Sequence, residues 1–186
     1  MIVDAASGWL VGARRVESPN CDARPVAATL DLVVVHGISL PPAEFGGPWI
    51  DQLFTNTLPA DAHPYFAAIA AARVSAHVLI DRAGAVTQYV PFQMRAWHAG
   101  QSSYRGRTAC NDFSVGIELE GTDDIPYEAA QYDALAAVVR ALRAAYATLA
   151  QAPIVGHSDI APGRKTDPGR VFDWLALGLR LGSTGA

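Results

Sequence analysis

The segment that most restricts the fold is Leu30–Val35, LDLVVV, an apolar run dominated by β-branched side chains. Such a run fits a strand covered on both faces. It ends in His36, followed by Gly37 and the turn-rich stretch SLPPAEFGG. A histidine at the tip of a buried strand projects to the edge of a sheet, a common position for a metal ligand. Further strands are expected at Ala76–Asp81 and Val86–Val90, joined by a turn over Asp81–Gly84. Ser114–Glu120, SVGIELE, alternates Val115, Ile117 and Leu119 with Gly116, Glu118 and Glu120. Both glutamates therefore share the face opposite the apolar one. Tyr127–Leu149 repeats Tyr132, Leu135, Ala136, Val139, Leu142, Tyr146 and Leu149 at helical spacing. Trp49–Leu53, Pro64–Ala72 and Phe172–Leu181 are expected as shorter helices. The fold class is mixed α/β, a central, mainly mixed β-sheet flanked by helices.

Gly156–Gly169, GHSDIAPGRKTDPG, gathers a histidine, a carboxylate and the single lysine of a chain whose 14 basic residues are otherwise all arginine. A lone lysine two residues before Asp167 points to a position that needs a compact ammonium rather than a planar guanidinium. The glycines and prolines of this stretch predict a shaped loop, and loops on a rigid scaffold are where catalytic groups concentrate. Taken singly, His36 and His157 read as satisfied core or surface histidines. With Asp167 they become two imidazoles and a carboxylate, a set that suits a catalytic zinc with a fourth position open to water. Glu118 reads either as a general base for that water or as a solvated strand carboxylate. Alternation alone does not choose between Glu118 and Glu120. Lys165 reads as an oxyanion stabiliser or as an exposed loop lysine. Trp97 is a core residue or an apolar sugar platform, His77 a buried, hydrogen-bonded histidine, and His98 a wall or support of the cleft.

Composition narrows the classes. A chain of 186 residues is of single-domain size and can bury a proper core. Half of its residues are apolar, yet no apolar run approaches the ~18–20 residues of a membrane span. The start, MIVDAASGW, shows no basic region followed by an apolar stretch, so no secretory signal is expected. Cys21 and Cys110 are the only cysteines and are expected to be free thiols, in keeping with a reducing cytoplasm. A net charge of −4 without a basic cluster argues against a nucleic-acid partner.

The blocks VVVHGISLPPAEFGGPWID, HPYF, RVSAHVLI, QYVPF, RAWHAGQSSYRGR, CNDFSVGIELEGTD, AQYDAL and GHSDIAPGRKTDPG with the later FDW run in order from GWLVGARRVESPN to Trp174. In these blocks the chain resembles the N-acetylmuramoyl-L-alanine amidases of the muropeptide-recycling type. It is similar, more distantly, to phage lysozyme-type amidases and peptidoglycan recognition proteins. The resemblance implies an amidase type 2, peptidoglycan-recognition-like fold in one domain spanning residues 1–186, with its core over about 28–175. It implies Zn2+ held by His36, His157 and Asp167. It also selects Glu118, directly after Gly116 and Ile117, as general base, and Lys165 as oxyanion stabiliser. Arg73, Tyr65, Trp97 and Ala161 are the implied substrate contacts. The implied substrate is a small muropeptide, 1,6-anhydro-N-acetylmuramyl peptide, cleaved at the bond to L-alanine by a cytoplasmic monomer with no nucleic-acid or membrane partner.

Four positions depart from the common pattern of that family. Gly37 replaces an asparagine, Ser158 a cysteine and Gly163 a glutamate, and Ala109 stands where some relatives have an arginine. None removes a ligand, while Gly37 and Ala109 bear on affinity and substrate range. Two other readings are set against this one. A non-catalytic wall-binding module loses a metal ligand, whereas all three ligand positions are filled here. A lytic amidase on intact peptidoglycan would call for a signal, a wall-binding repeat or a basic surface.

Overall fold

Three valines in a row need apolar cover on both sides, and they find it at the centre of a six-stranded sheet. The computed structural model describes residues 1–182. Its main strands are β1 (Arg14–Arg15), β2 (Leu32–Ile38), β3 (Val78–Ile80), β4 (Val86–Gln88), β5 (Ser114–Glu120) and β6 (Ile154–Gly156). They lie side by side in the order β6-β2-β5-β3-β4-β1. Every neighbouring pair is parallel except β3 and β4. This is the mixed sheet expected, but three features differ from expectation. The strand after Asp31 continues through His36 to Ile38, so His36 lies within β2 and not beyond its tip. The stretch read as one loop from Gly156 starts at the end of β6, and His157 opens a single helical turn, α4 (His157–Ile160). The edge strand β1, which the apolar pattern could not signal, is two exposed arginines.

Alternation along β5 and β2 divides the sheet into two faces. Val33, Val35, Val115, Ile117 and Leu119 enter the main core beneath α3 (Ala129–Ala145), with Tyr132, Leu135, Ala136, Val139 and Leu142 as its buried stripe. Gln131 ties this helix down: its amide donates to the carbonyls of Ile80 (3.3 Å) and Glu120 (2.9 Å) at the ends of β3 and β5. The helix is shorter than the sequence pattern suggests. Tyr146 leaves it in an extended conformation with its ring against Phe92, and a 3₁₀ turn then returns Leu149 to the core. The C-terminal helix, α5 (Trp174–Leu181), begins at Asp173, whose carboxylate accepts the amide of Ala176. Leu32 and Val34 face the other way, into a smaller cluster with Cys110, Phe113 and Ile160. Short helices α1 (Trp49–Phe54) and α2 (Phe66–Ile69) belong to a third cluster over Leu79 and Tyr89. Cys21 and Cys110 are both free. No helix among the described residues is long and apolar enough to cross a membrane.

Candidate metal centre and active-site cleft

Strand order places the candidate ligands together without any short sequence motif. On β2 and β5, His36 is the direct neighbour of Glu118, both on the face away from α3. On the other side, Gly156 pairs with Val35, so His157 emerges beside His36 as β6 ends. This is the carboxyl end of a parallel block, where open α/β sheets place their ligands. Asp167 is brought in by its loop: its carbonyl accepts the amide of Ser158 at 3.0 Å, closing the segment onto α4.

Three ligand-type atoms converge there. His36 Nδ1 is 2.9 Å from His157 Nδ1, and Asp167 Oδ2 is 3.0 Å from His157 Nδ1 and 3.2 Å from His36 Nδ1. A triangle with these sides is close to the ~3.3 Å edge joining two ligands of a tetrahedral zinc with bonds of about 2.0 Å. The chemistry of the set fits as well. The other nitrogen of His157, Nε2, faces the Ala99 carbonyl at 3.2 Å; a carbonyl only accepts, so the proton sits there and Nδ1 keeps its lone pair. Burial lowers the His36 imidazole to about 4, against the opposing pull of Asp167, so the ring is neutral at physiological pH. Burial alone would raise the Asp167 carboxyl, but the close approach of the His157 and His36 imidazoles outweighs it and holds the group far below its ordinary range. The residues present therefore fit a divalent cation of the zinc type.

Beside this triangle lies a cavity of about 600 Å³. Gly37, Leu40, Tyr65, Trp97, Glu118 and Lys165 are among its lining residues, with His157 and Asp167. Glu118 carries the most telling feature. Its Oε2 is buried and has no hydrogen-bond partner. Burial raises this carboxyl well above the usual range, and Asp167 raises it further while Lys165 pulls it down. A desolvated carboxyl kept without a partner is costly for folding and typical of a group reserved for proton transfer. Glu120, its companion on the same face, is spent differently: it accepts the amides of Gly46 and Arg82 and holds the loop after Pro42.

The remaining expected contacts divide. Tyr65 and Trp97 line the cavity, and the Trp97 indole is held by a 3.2 Å bond to Asp22. Arg73 and Ala161 do not line it. Arg73 is exposed with its guanidinium near the Ala71 carbonyl, while Ala161 is buried and its carbonyl accepts the amides of Arg164 and Lys165. That turn at Ala161 sets where Lys165 leaves the loop, so its contribution to the site is one of backbone. Gly37 has a local cause: a Cβ there would run into the hydroxyl of Tyr127, which donates to the Pro168 carbonyl at 2.9 Å next to Asp167. Arg24 was not anticipated from the sequence. It is half-buried, and its guanidinium donates to the carbonyls of Phe92, Asn111, Asp112 and Ser114. It thereby fixes the underside of the cleft to β5.

Fold and cleft together place the molecule in a class. The chain belongs to the N-acetylmuramoyl-L-alanine amidase family, whose pattern matches residues 26–170, and it is an amidase. Within that family it is similar to the 1,6-anhydro-N-acetylmuramyl-L-alanine amidase AmpD of Escherichia coli, with 65% identity over 167 residues, 90% of this chain and 91% of that protein. The same-named protein of Haemophilus influenzae is 49% identical over 173 residues, 93% of this chain and 94% of that one. Among solved structures, a crystal structure of a selenomethionine derivative of AmpD superposes with a TM-score of 0.93 at 59% identity, covering 97% of this chain and 99% of that one.

Proposed function

We propose that this chain hydrolyses the amide between 1,6-anhydro-N-acetylmuramic acid and L-alanine in soluble muropeptides, as a zinc enzyme of cytoplasmic cell-wall recycling. The relatives at 49–65% identity are named for that substrate. A more distant amidase, AmiD of Escherichia coli, is solved with anhydro-N-acetylmuramic acid-L-Ala-D-gamma-Glu-L-Lys; it superposes with a TM-score of 0.57 at 30% identity, over 84% of this chain and 60% of that one. The observation that carries the reading is the donor triangle of His36, His157 and Asp167 beside the unpartnered Glu118 carboxylate.

When bound by these three residues, zinc supplies Lewis acidity and makes water a stronger acid. Glu118 takes a proton from the attacking water and later delivers it to the nitrogen of L-alanine as the amide breaks. A carboxyl whose proton affinity is raised by burial performs both halves of that transfer near neutral pH. Lys165 presents the only ammonium of the loop to the cleft, where it attracts the carbonyl oxygen as negative charge develops. Tyr65 and Trp97 offer apolar faces that hold the sugar and peptide in register.

Purified enzyme should release peptide from soluble anhydro-muropeptide and act far more slowly on intact sacculi. Comparable rates on the two substrates would reassign the chain to wall lysis.

A further inference from the structure

His98 is outside the donor triangle, yet it touches the triangle from behind. Its Nδ1 lies 2.9 Å from His36 Nε2, with the two rings edge to face at 5.0 Å between centroids. Its own Nε2 is 3.2 Å from the Ser114 hydroxyl, which in turn is 2.6 Å from the Cys110 carbonyl. All of these groups are buried.

The direction of this chain of hydrogen bonds is set at its far end. A carbonyl oxygen can only accept, so Ser114 spends its single proton on Cys110. The hydroxyl oxygen then accepts from His98 Nε2–H. That leaves His98 Nδ1 bare, and it accepts from His36 Nε2–H. His36 must then carry its lone pair on Nδ1, the atom facing His157 and Asp167. The opposite direction would break the 2.6 Å bond to Cys110, the shortest of the series. We propose that His98 is a positioning residue that fixes His36 in the tautomer able to bind the metal, through a directed relay ending at the Cys110 carbonyl. The proposal rests on the zinc reading above.

Two observations show that the position of His98 is built and not incidental. Its ring lies directly over Gly116 of β5, where a Cβ would run into the ring atoms. Glycine at this point of an otherwise side-chain-bearing strand is what admits the imidazole. Its backbone is clamped as well: Asn111 Oδ1 accepts the amides of both His98 (3.1 Å) and Ala99 (2.8 Å). The Ala99 carbonyl is the group that orients His157. Two consecutive residues, held by one asparagine, thus orient both imidazole ligands, one by side chain and one by backbone. Such partners of metal-bound histidines typically carry 10–100-fold in metal affinity.

The test uses the full chain with zinc, in chelator competition, together with 15N NMR of the histidine rings in zinc-free protein. His98→Phe keeps a ring but removes the acceptor; His98→Asn restores an acceptor near the Nδ1 position. Wild-type protein should show His36 protonated at Nε2 before any metal is added. His98→Phe should bind zinc roughly 10–100-fold more weakly and lose the single tautomer, and His98→Asn should recover most of both. Zinc affinity unchanged in a folded His98→Phe would overturn the proposal. So would an Nδ1-protonated His36 in wild-type protein, a result readable even if the phenylalanine variant does not fold. Failure of wild-type protein to bind zinc would instead strike the zinc reading, and the tautomer measurement would still stand.

Discussion

On one face of β5, Val115, Ile117 and Leu119 have no exposed surface and complete the core beneath α3. On the other, Ser114, Gly116, Glu118 and Glu120 meet the relay, the His98 ring, the cleft and the loop at Gly46. The same seven residues therefore do two kinds of work. The apolar face gains free energy from burial, while the polar face gives some of it up by keeping a desolvated carboxyl without a partner. The lesson is that alternation, by itself a rule of packing, also separates the stability of this molecule from its chemistry.

That separation predicts a double dissociation. Glu118→Gln should lower turnover by roughly 10²–10⁴-fold, the usual worth of a general acid–base group. It should leave zinc content intact and leave or raise the melting temperature of the zinc-free protein. Ile117→Ala, one residue away, should cost about 2–5 kcal/mol of stability in denaturant titration while keeping turnover per folded molecule. A loss of stability in Glu118→Gln matching that of Ile117→Ala would erase the distinction between the faces.

Lys165 sharpens the comparison from outside the sheet. It is exposed, and among the described residues its ammonium forms no ion pair, so removing it should not disturb the fold. Lys165→Ala should keep zinc and substrate binding and lose ~10²–10³-fold in turnover, the scale of one oxyanion donor. Lys165→Arg should rescue poorly, because the wider planar head cannot place the same point charge. Steady-state kinetics decide it, and near-normal turnover in Lys165→Arg would return this lysine to the solvated surface.

A last effect, read in stability and not in turnover, concerns His77, which lies beneath the polar face and accepts the Gly116 amide at 3.0 Å. Burial, aided by the charge of Arg24, lowers its imidazole to about 3. Below an unfolded value of about 6.5 the unfolded chain binds a proton that the folded chain refuses. Stability is therefore full above about 6.5 and falls on acidification toward 3, by about 1.4 kcal/mol per pH unit for this one group. His77→Asn should lack that slope, so the difference between the two stability profiles should change with pH below about 6.5. Parallel profiles would show that the ring accepts its proton inside the fold.

How much of this was readable beforehand follows the range of the interactions. The bounds of β5 and the buried stripe of α3 agree with expectation because both are local periodicities. The three-residue β6 is not among the expected strands, since its pairing with β2 is non-local and it has too few residues to show a period. The ligand set was suggested by residue types, but His36 and His157 are 121 residues apart, so no spacing could supply the 2.9 Å between them. Arg24 and Asn111 left no trace in the pattern because their partners are backbone groups, which every residue has. Arg73 falls outside the cleft lining although its neighbours Ala72 and Val74 belong to it, its guanidinium lying by the Ala71 carbonyl, while Ala161 is buried; residue type alone carries neither outcome.

The zinc reading requires His36, His157 and Asp167 to act as a single site. Elemental analysis of purified protein tests it most directly. About one zinc per chain is expected, as three protein ligands with an open fourth position require, with loss of most of it in His36→Ala and in His157→Ala and both variants still folded by circular dichroism. Zinc content unchanged in both histidine variants would contradict it.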